Sequence, residues 1–316
     1  MKEHQAREVL FETRMKKFLE GSGYLTIVEE RIYGRSGDHG IRSFAKINIP
    51  SAFSYPTRLL CQYKCYAKNK VDISHLRDFG GMIADVQENN FAMKKYSADV
   101  AGVNIADRYQ YSGCYMSTTA FSQSAQEYAW AHDIFLMSFE RIDIVQPMLK
   151  DIEEFVAAID ESSITNITRN ELIEAYNCHC REMNISFDNI NGMIGILNGV
   201  YPVLLLGSNN WKDSIINEAE ESDIGRINIE QVNRSQNQYE SKFEVMVKEA
   251  NLEFSVPNIV FSKLMERKDN TTKNGVVFRV DVPYFTYKGK RGMAGFEIVI
   301  EGFSRDQYGY NQISFF

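Results

Sequence analysis

Residues that together can hydrolyse a phosphodiester bond lie in the N-terminal part of the sequence. Asp38 stands in a glycine-rich turn, Gln62-Tyr63-Lys64 lies within an apolar run, and Glu12 precedes both. Such hydrolysis needs a hard divalent cation held by oxygen ligands, a water molecule activated on it, and a positive group that stabilises the developing charge. Carboxylate and amide oxygens supply the ligands, and Lys64 supplies the positive group. The residue types therefore suit metal-dependent cleavage of a phosphodiester.

These residues fall on different elements of a predicted α/β unit. Residues 4–20 have apolar residues at helical spacing, and glycines follow as stop signals. β-Branched and aromatic residues predict strands at 24–32 and 41–49, with a turn at 34–40. Residues 58–65 form a nearly continuous apolar run, which is typical of a central strand covered on both faces. Because side chains alternate along a strand, Gln62 and Lys64 point to the same face.

The alternation of helices and strands continues through the first half of the chain. Residues 72–89 predict a helix with Asp72 as its N-cap, and residues 121–132 predict a second, alanine-rich helix. Strands are predicted at 111–117 and 134–138. The order α-β-β-β-α-β-α-β predicts a mixed sheet flanked by helices, in the α/β class.

A second domain, of the α+β class, is predicted after residue 145. Domains typically span roughly 100–200 residues, so a chain of 316 residues favours two, at 1–145 and 146–316. Helices are predicted at 146–160 and 169–183, with a polar connector at 161–170 and strands at 201–206, 243–247, 276–282 and 296–300. Residues 308–316 predict a final strand or docking segment. We recognise no catalytic motif in this half.

The charge of the chain is unevenly distributed. The net charge is −7, but residues 1–145 carry 18 Lys and Arg against 17 Asp and Glu, whereas residues 146–316 carry 17 against 25. The first half is thus close to neutral and can still present a local basic cleft to phosphates. Charge neither supports nor excludes a nucleic-acid partner.

The cysteines and the apolar segments predict a cytoplasmic protein. The chain has 5 cysteines without paired CxxC spacing, which suits reduced thiols, and Cys178-His179-Cys180 lacks a second ligand pair, so we assign no zinc. Residues 1–12 contain three glutamates, unlike a signal peptide. The longest apolar passage, 192–207, is too short and too polar to span a bilayer, so no membrane segment is predicted.

Five blocks of sequence carry a resemblance to a known family. They are Phe11-Glu12, Gly21-Ser22-Gly23-Tyr24, the turn 34–41 (GRSGDHGI), Gln62-Tyr63-Lys64, and 117–122 (STTAFS) leading into Ala125 and Ala129. In this order, over about residues 7–140, they resemble the Mrr-like branch of the restriction-endonuclease, or PD-(D/E)XK, superfamily, in which glutamine often replaces the acid before the lysine. A lone QxK tripeptide occurs by chance, whereas five ordered blocks are moderately specific.

The resemblance implies a restriction-endonuclease-like fold and an endonuclease that cleaves DNA with Mg²⁺ or Mn²⁺, in restriction or antiviral defence. It implies that Asp38 and Gln62 ligate the metal, that the Tyr63 carbonyl completes the shell, and that Lys64 polarises the phosphate or the water. Glu12 would order a second metal or metal-bound waters. Double-stranded DNA is the expected partner, and paired cuts favour a homodimer.

Several of these residues also have simpler interpretations. Lys68 and Lys70 are expected to contact the DNA backbone, or to lie in a solvated loop. Ser117, Thr118 and Thr119 would either contact a phosphate at the N-terminus of the following helix or cap that helix. We favour capping. Taken alone, Glu12 is typical of a solvated helix residue, and Asp38 and His39 are typical of an exposed turn. Lys64 differs, because a lysine within an apolar strand is rarely buried without a partner.

One position departs from the family pattern. The acid that follows the Gly-Ile pair in many members is replaced here by Arg42, which cannot bind a cation. Either Asp38 has taken over, which we favour, or the metal site is damaged and the domain binds nucleic acid or serves as a scaffold without cutting. Cleavage of RNA is a further alternative that the residues do not decide. Residues 201–207 are where we would place a small-molecule sensor that controls the nuclease.

Overall fold

The computed structural model describes residues 1–22, 25–28, 33–39, 43–46, 57–97, 109–208, 211–221, 227–247, 250–266, 271–272, 275–285 and 291–300. Arg42 and the predicted final strand at 308–316 lie outside these ranges.

A mixed sheet forms the centre of the N-terminal part. Within the described residues it has five strands, in the order β1-β4-β5-β6-β7. They are β1 Leu25–Val28, β4 Ser43–Lys46, β5 Thr57–Lys64, β6 Gln110–Ser117 and β7 Ile134–Ser138. β4 is antiparallel to β1 and β5, while β5, β6 and β7 are parallel. β5 is central, as predicted, and it carries Gln62 and Lys64.

Helices cover both faces of this sheet. They are α1 Glu3–Gly21 on one face, and α2 Ile73–Ser97 and α3 Gln123–Ala131 on the other. Alternate residues of β5 divide between the two cores: Cys61 and Tyr63 pack with α1, and Leu60 packs with α2 and α3. The predicted α/β sheet flanked by helices is therefore confirmed. A separate two-stranded ribbon, β2 Tyr33–Gly34 and β3 Gly37–Asp38, holds the predicted turn.

Two helix caps test the local predictions. Asp72 caps α2 as predicted, since its Oδ1 accepts from the backbone N–H of Ser74 at 3.0 Å. The prediction that Ser117 or its neighbours cap α3 was wrong. The N-cap is Ser122, whose hydroxyl accepts from the N–H of Ala125 at 3.3 Å.

The C-terminal part is built around a larger, antiparallel sheet. Among the described residues it has eight strands, in the order β10-β11-β12-β9-β8-β14-β13 with β15 beside β14. They are β8 Asn191–Leu197, β9 Tyr201–Gly207, β10 Gln231–Gln236, β11 Glu240–Val247, β12 Ala250–Pro257, β13 Thr271–Thr272, β14 Gly275–Phe285 and β15 Arg291–Ile300. Its helices are α4 Gln146–Ala157, α5 Glu161–Asn166, α6 Arg169–Glu182, α7 Trp211–Glu221 and α8 Asn258–Met265.

One connector in this part was predicted wrongly. The polar stretch at 161–170 contains α5 instead of a loop, because Ile164 is 5% exposed and packs into the core against α1. Burial of this single apolar side chain favours a helical turn in an otherwise polar segment.

The core around α1 continues across the predicted domain boundary. Leu10 of α1 shares one cluster of buried side chains with Ile152 of α4, Leu172 of α6 and Leu206 of β9. Residues on both sides of residue 145 therefore share one core. The division into two domains at that residue stays a prediction. In the part of the chain that the structure describes, no helix is long and apolar enough to cross a membrane.

Candidate active site

The end of β5 holds an ion pair at the edge of the sheet. Nζ of Lys64 donates to Oε1 of Glu8 on α1 at 2.9 Å, and both side chains are 20% exposed. Gln62 lies two residues earlier, is half-buried and projects from the same side of the strand. The ammonium and the carboxylate therefore meet at this end of the central strand. The amide of Gln62 lies two residues further back, on the face where Leu60 packs with α2 and α3.

Aromatic packing fixes α1 against β5 and so places this ion pair. The ring of Phe11 contacts the ring of Tyr63 edge-on, with centroids 6.3 Å apart, and the ring of Phe139 at 5.5 Å. The backbone N–H of Thr118 donates to the carbonyl of Lys64 at 3.0 Å. Both ends of the Glu8–Lys64 pair are thus anchored by buried groups.

Glu8 is the acid at Lys64, and the sequence analysis did not single it out. The available signal was its spacing: Glu8 and Glu12 are four residues apart and occupy one face of a helix. Glu12, the predicted residue, instead pairs through Oε2 with Arg169 of α6 at 3.0 Å. Its assignment to a second metal stays a prediction.

The ribbon that carries Asp38 is docked on α2. The N–H of Ser36 donates to Oδ2 of Asp85 at 2.9 Å, and Nε2 of His39 lies 2.6 Å from the same oxygen. The expectation of an exposed His39 was therefore wrong. These contacts, the backbone bond from Ser36 first, lower the pKa of Asp85 to about 2. Their stabilising effect is present above the ordinary carboxyl pKa of 3.8 and is lost as the pH falls through about 2.

The ribbon contacts Asp85 near one end of the parallel strands, and Lys64 lies at the opposite end. Nε2 of Gln87, half a helical turn beyond Asp85, donates to the carbonyl of Tyr111 near the start of β6 at 3.0 Å. Gln62 and Lys64 instead pair with residues 115 and 117, at the end of β6. The side chain of Asp38 is outside the described residues, so its role as a ligand stays a prediction.

The predicted DNA contacts occupy the loop after β5 and its supports. Lys68 is exposed, whereas Nζ of Lys70 donates to the hydroxyl of Tyr239 at 2.5 Å and lies over its ring. Ser117 is fully buried. The hydroxyl of Thr118 donates to the carbonyl of Tyr66 at 2.8 Å. The hydroxyl of Thr119 likewise donates to the carbonyl of Asn69 at 2.8 Å, so Thr118 and Thr119 hold the loop, while the Ser117 hydroxyl contacts Thr119. Contact of Ser117 and Thr118 with phosphate stays a prediction.

A cleft opens beside the ion pair. It measures about 630 Å³ and lies between the loop that follows β5 and helix α4. Tyr66 and Thr118 line one wall. The charges of the lining balance, because Arg7 and Lys150 are matched by Asp143 and Glu153, and Arg7 pairs with Glu153 at 3.7 Å. Cys65 and Arg7, the chain neighbours of Lys64 and Glu8, line this cleft, so it reaches the end of β5 that carries the ion pair.

The side chains at the site fit a hard cation in their chemistry. Gln62 and Glu8 offer amide and carboxylate oxygens, which Mg²⁺ and Mn²⁺ prefer. One turn along α1, Oε1 of Glu12 is buried with no hydrogen-bond partner among the described residues, a state that a cation or its water relieves. Among those residues, no three His, Cys, Asp or Glu side chains converge on one point. A bound ion would therefore use amide and backbone oxygens together with any carboxylate.

The fold and this site define a class of protein before any comparison. A helix-flanked mixed sheet whose central strand ends in Gln-x-Lys, facing an acid of the first helix, is a nuclease-like arrangement. Residues 4–144 match the Mrr catalytic family model, described as "Restriction endonuclease". The matched segment runs from α1 through β7, so this part of the chain is a restriction-endonuclease-like domain, and the resemblance to the Mrr-like family is confirmed.

One solved structure shares a weak overall similarity with this chain. A solved structure described as "Crystal Structure of Protein of Unknown Function AF1548" is 12% identical and covers 55% of this chain and 99% of its own, with a TM-score of 0.30. That score carries no argument about fold or function. No curated protein matches the sequence.

Proposed function

We propose that this protein is an endonuclease that hydrolyses DNA phosphodiester bonds with Mg²⁺ or Mn²⁺. The observation that carries the proposal is the Lys64 ammonium, held by Glu8 on the same strand end as Gln62. A half-buried lysine fixed by a carboxylate is positioned to stabilise negative charge on a phosphate. The match of residues 4–144 to a restriction-endonuclease family supports the same chemistry.

Each residue has a role in this proposal. Gln62 and the Tyr63 carbonyl would hold the ion, which when bound lowers the pKa of a coordinated water. Asp38 would join them only if its ribbon, which docks at Asp85 towards the other end of the strands, moved to this end. Lys64 contacts the scissile phosphate, and Glu8 orients Lys64. Glu12 orders waters around a second ion, next to its unpartnered oxygen.

The substrate is proposed to be double-stranded DNA lying along the cleft beside Lys64. Arg7 and Lys150 in the cleft, with Lys68 at the loop, would contact phosphates as positive charges. A homodimer with two such sites would cut both strands of the duplex. A cytoplasmic role in restriction or antiviral defence follows from the family resemblance alone.

A second candidate is a nuclease fold that binds nucleic acid without cutting it. Arg42 in place of the usual acid favours it, as does the docking of the Asp38 ribbon near Asp85. The C-terminal part would then supply recognition, assembly or ligand control.

An assay on supercoiled plasmid, with labelled single- and double-stranded RNA in parallel, tests the proposal. We expect nicked or linear plasmid with Mg²⁺ or Mn²⁺ and none after EDTA, because the ion supplies the activated water. If the protein slows the migration of plasmid in a gel but leaves it uncut with every metal, the second candidate is supported. Cleavage of RNA alone would show that the substrate is wrong.

A further inference from the structure

Three polar side chains around the loop that follows β5 form a hydrogen-bonded chain that the proposed metal chemistry does not use. Nδ1 of His75 lies 2.8 Å from Oδ1 of Asp72, and Nε2 of the same ring lies 3.0 Å from the hydroxyl of Tyr66. Asp72 and His75 belong to the first turn of α2, and Tyr66 lies two residues after Lys64. These hydrogen bonds thus join the start of α2 to the loop that follows β5.

The direction of these hydrogen bonds follows from the charge of Asp72. Hydrogen bonds, from the hydroxyl of Ser74 first and from His75 next, lower the pKa of Asp72 to about 2, so it is ionised at neutral pH. A carboxylate only accepts, and therefore Nδ1 of His75 carries the proton between them. In the neutral ring Nε2 then has a free lone pair, and the Tyr66 hydroxyl donates to it. The Tyr66 oxygen keeps its own lone pairs for a further donor.

Tyr66 connects this chain to the site and to the cleft. Its side chain lines the cleft, and Thr118 holds its backbone carbonyl at 2.8 Å. Partial burial raises the pKa of Tyr66, the charge of Lys64 opposes that shift, and Glu8 and Asp72 add to it. The phenol therefore lies within electrostatic reach of the Glu8–Lys64 pair.

Among the described residues, the charged groups linked to this chain can be named. Asp72 contacts His75 directly, and Lys64 on β5 and Glu8 on α1 act on Tyr66. The next charged residues of α2, Arg77 and Asp78, are both exposed. The ring itself is 34% exposed, which leaves solvent a route to it.

We propose that Tyr66, His75 and Asp72 form a proton relay for the attacking water of the proposed nuclease reaction, with Tyr66 contacting that water. This inference rests on the proposed function and adds three residues to it. The arrangement is that of an acid, a histidine and a hydroxyl in series, in which the acid orients the ring and stabilises its charged form.

The proposed step balances as follows. The oxygen of water forms a bond to phosphorus while the bond from phosphorus to the leaving oxygen breaks. The proton of the water passes to the Tyr66 oxygen as the phenol proton passes to Nε2 of His75. The imidazolium is stabilised by Asp72 and later releases its proton to solvent, and solvent protonates the leaving oxygen.

Single-turnover plasmid cleavage by Tyr66→Phe and His75→Gln, measured from pH 5.5 to 9, tests the relay. We expect both variants to cleave on the order of 10²-fold more slowly at saturating DNA, the low end of the usual gain from general base catalysis, with little change in DNA affinity. In wild type, the rate should fall at the acidic end of this range, because a protonated His75 cannot accept the phenol proton, and His75→Gln should lose that fall. A residue that merely fastens the loop would not move the pH profile.

A matched control lies elsewhere in the fold. His179 of α6 also contacts an aspartate, Asp151 at 3.2 Å, and is 28% exposed, but it does not line the cleft. His179→Gln should cleave as wild type does. Should His75→Gln fail to fold by circular dichroism, Asp72→Asn replaces it, since asparagine also caps helices; it should slow cleavage in the same direction.

Two results separate failure of the relay from failure of the proposed function. Wild-type rates and an unchanged pH profile in Tyr66→Phe and His75→Gln would overturn the relay and leave the nuclease intact. Absence of metal-dependent cleavage by wild-type protein would overturn the proposed function, and the relay with it.

Discussion

Replacing Lys64 by methionine is expected to reduce plasmid cleavage on the order of 10²–10³-fold, the usual effect of removing one group that stabilises transition-state charge. Methionine keeps the apolar stem within the strand and removes only the ammonium that faces Glu8 at 2.9 Å. Because the missing interaction is strongest in the transition state, kcat should fall while DNA affinity changes little. Single-turnover rates and a gel-shift titration measure the two effects separately.

The variant also leaves the Glu8 carboxylate half-buried and unpaired, so a loss of stability has to be distinguished from a loss of chemistry. The double variant Glu8→Gln/Lys64→Met removes both charges and should be about as inactive but more stable. Lys16→Met is a matched control, since Lys16 also pairs on α1, with Glu20 at 3.8 Å, but away from the strand end. Near wild-type cleavage by Lys64→Met would remove Lys64 from the site.

Substitution of Gln62 is expected to have the second largest effect on the cleavage rate. Whether the Mg²⁺ requirement rises or falls depends on the new side chain. Gln62→Leu preserves size but removes the amide oxygen, so cleavage should fall on the order of 10²-fold, comparable to the loss of a single catalytic group, and more Mg²⁺ should be needed for half-maximal rate. Gln62→Glu supplies a charged oxygen ligand, so cleavage should persist at lower Mg²⁺. Titration of the cleavage rate against Mg²⁺ measures both.

A half-buried glutamine outside the site serves as the control for Gln62. Gln87 of α2 donates to the carbonyl of Tyr111 at 3.0 Å, towards the opposite end of the strands. Gln87→Leu should lower the melting temperature and leave the Mg²⁺ requirement unchanged. If Gln62→Leu and Gln62→Glu share the Mg²⁺ dependence of wild type, the amide of Gln62 does not ligate the ion.

The elements that carry Gln62 and Lys64 were predictable because their signals are local. The apolar run of β5, the alternation that puts both side chains on one face, and the N-cap at Asp72 depend only on neighbouring residues. The same holds for the order of helices and strands around them. The central position of the strand follows from its two apolar faces.

The partners of these residues depend on long-range packing, and there the sequence was less informative. Glu8 and Glu12 share one helix face, and only the docking of α1 decides that Glu8 meets Lys64 while Glu12 meets Arg169 of the C-terminal part. In the same way, Asp85 anchors the Asp38 ribbon from a helix about fifty residues away in sequence. No local pattern specifies such pairs.

The central claim is that one end of β5 binds a divalent cation for phosphodiester hydrolysis. Anomalous scattering from crystals of the wild-type protein soaked in Mn²⁺ tests it most directly. We predict a peak bonded to the side-chain oxygen of Gln62 and to at least one carboxylate, within contact of a phosphate held by Lys64, at the 2.0–2.3 Å or so that hard cations keep from oxygen. Well-ordered crystals with strong Mn²⁺ peaks elsewhere and none at Gln62 would contradict it.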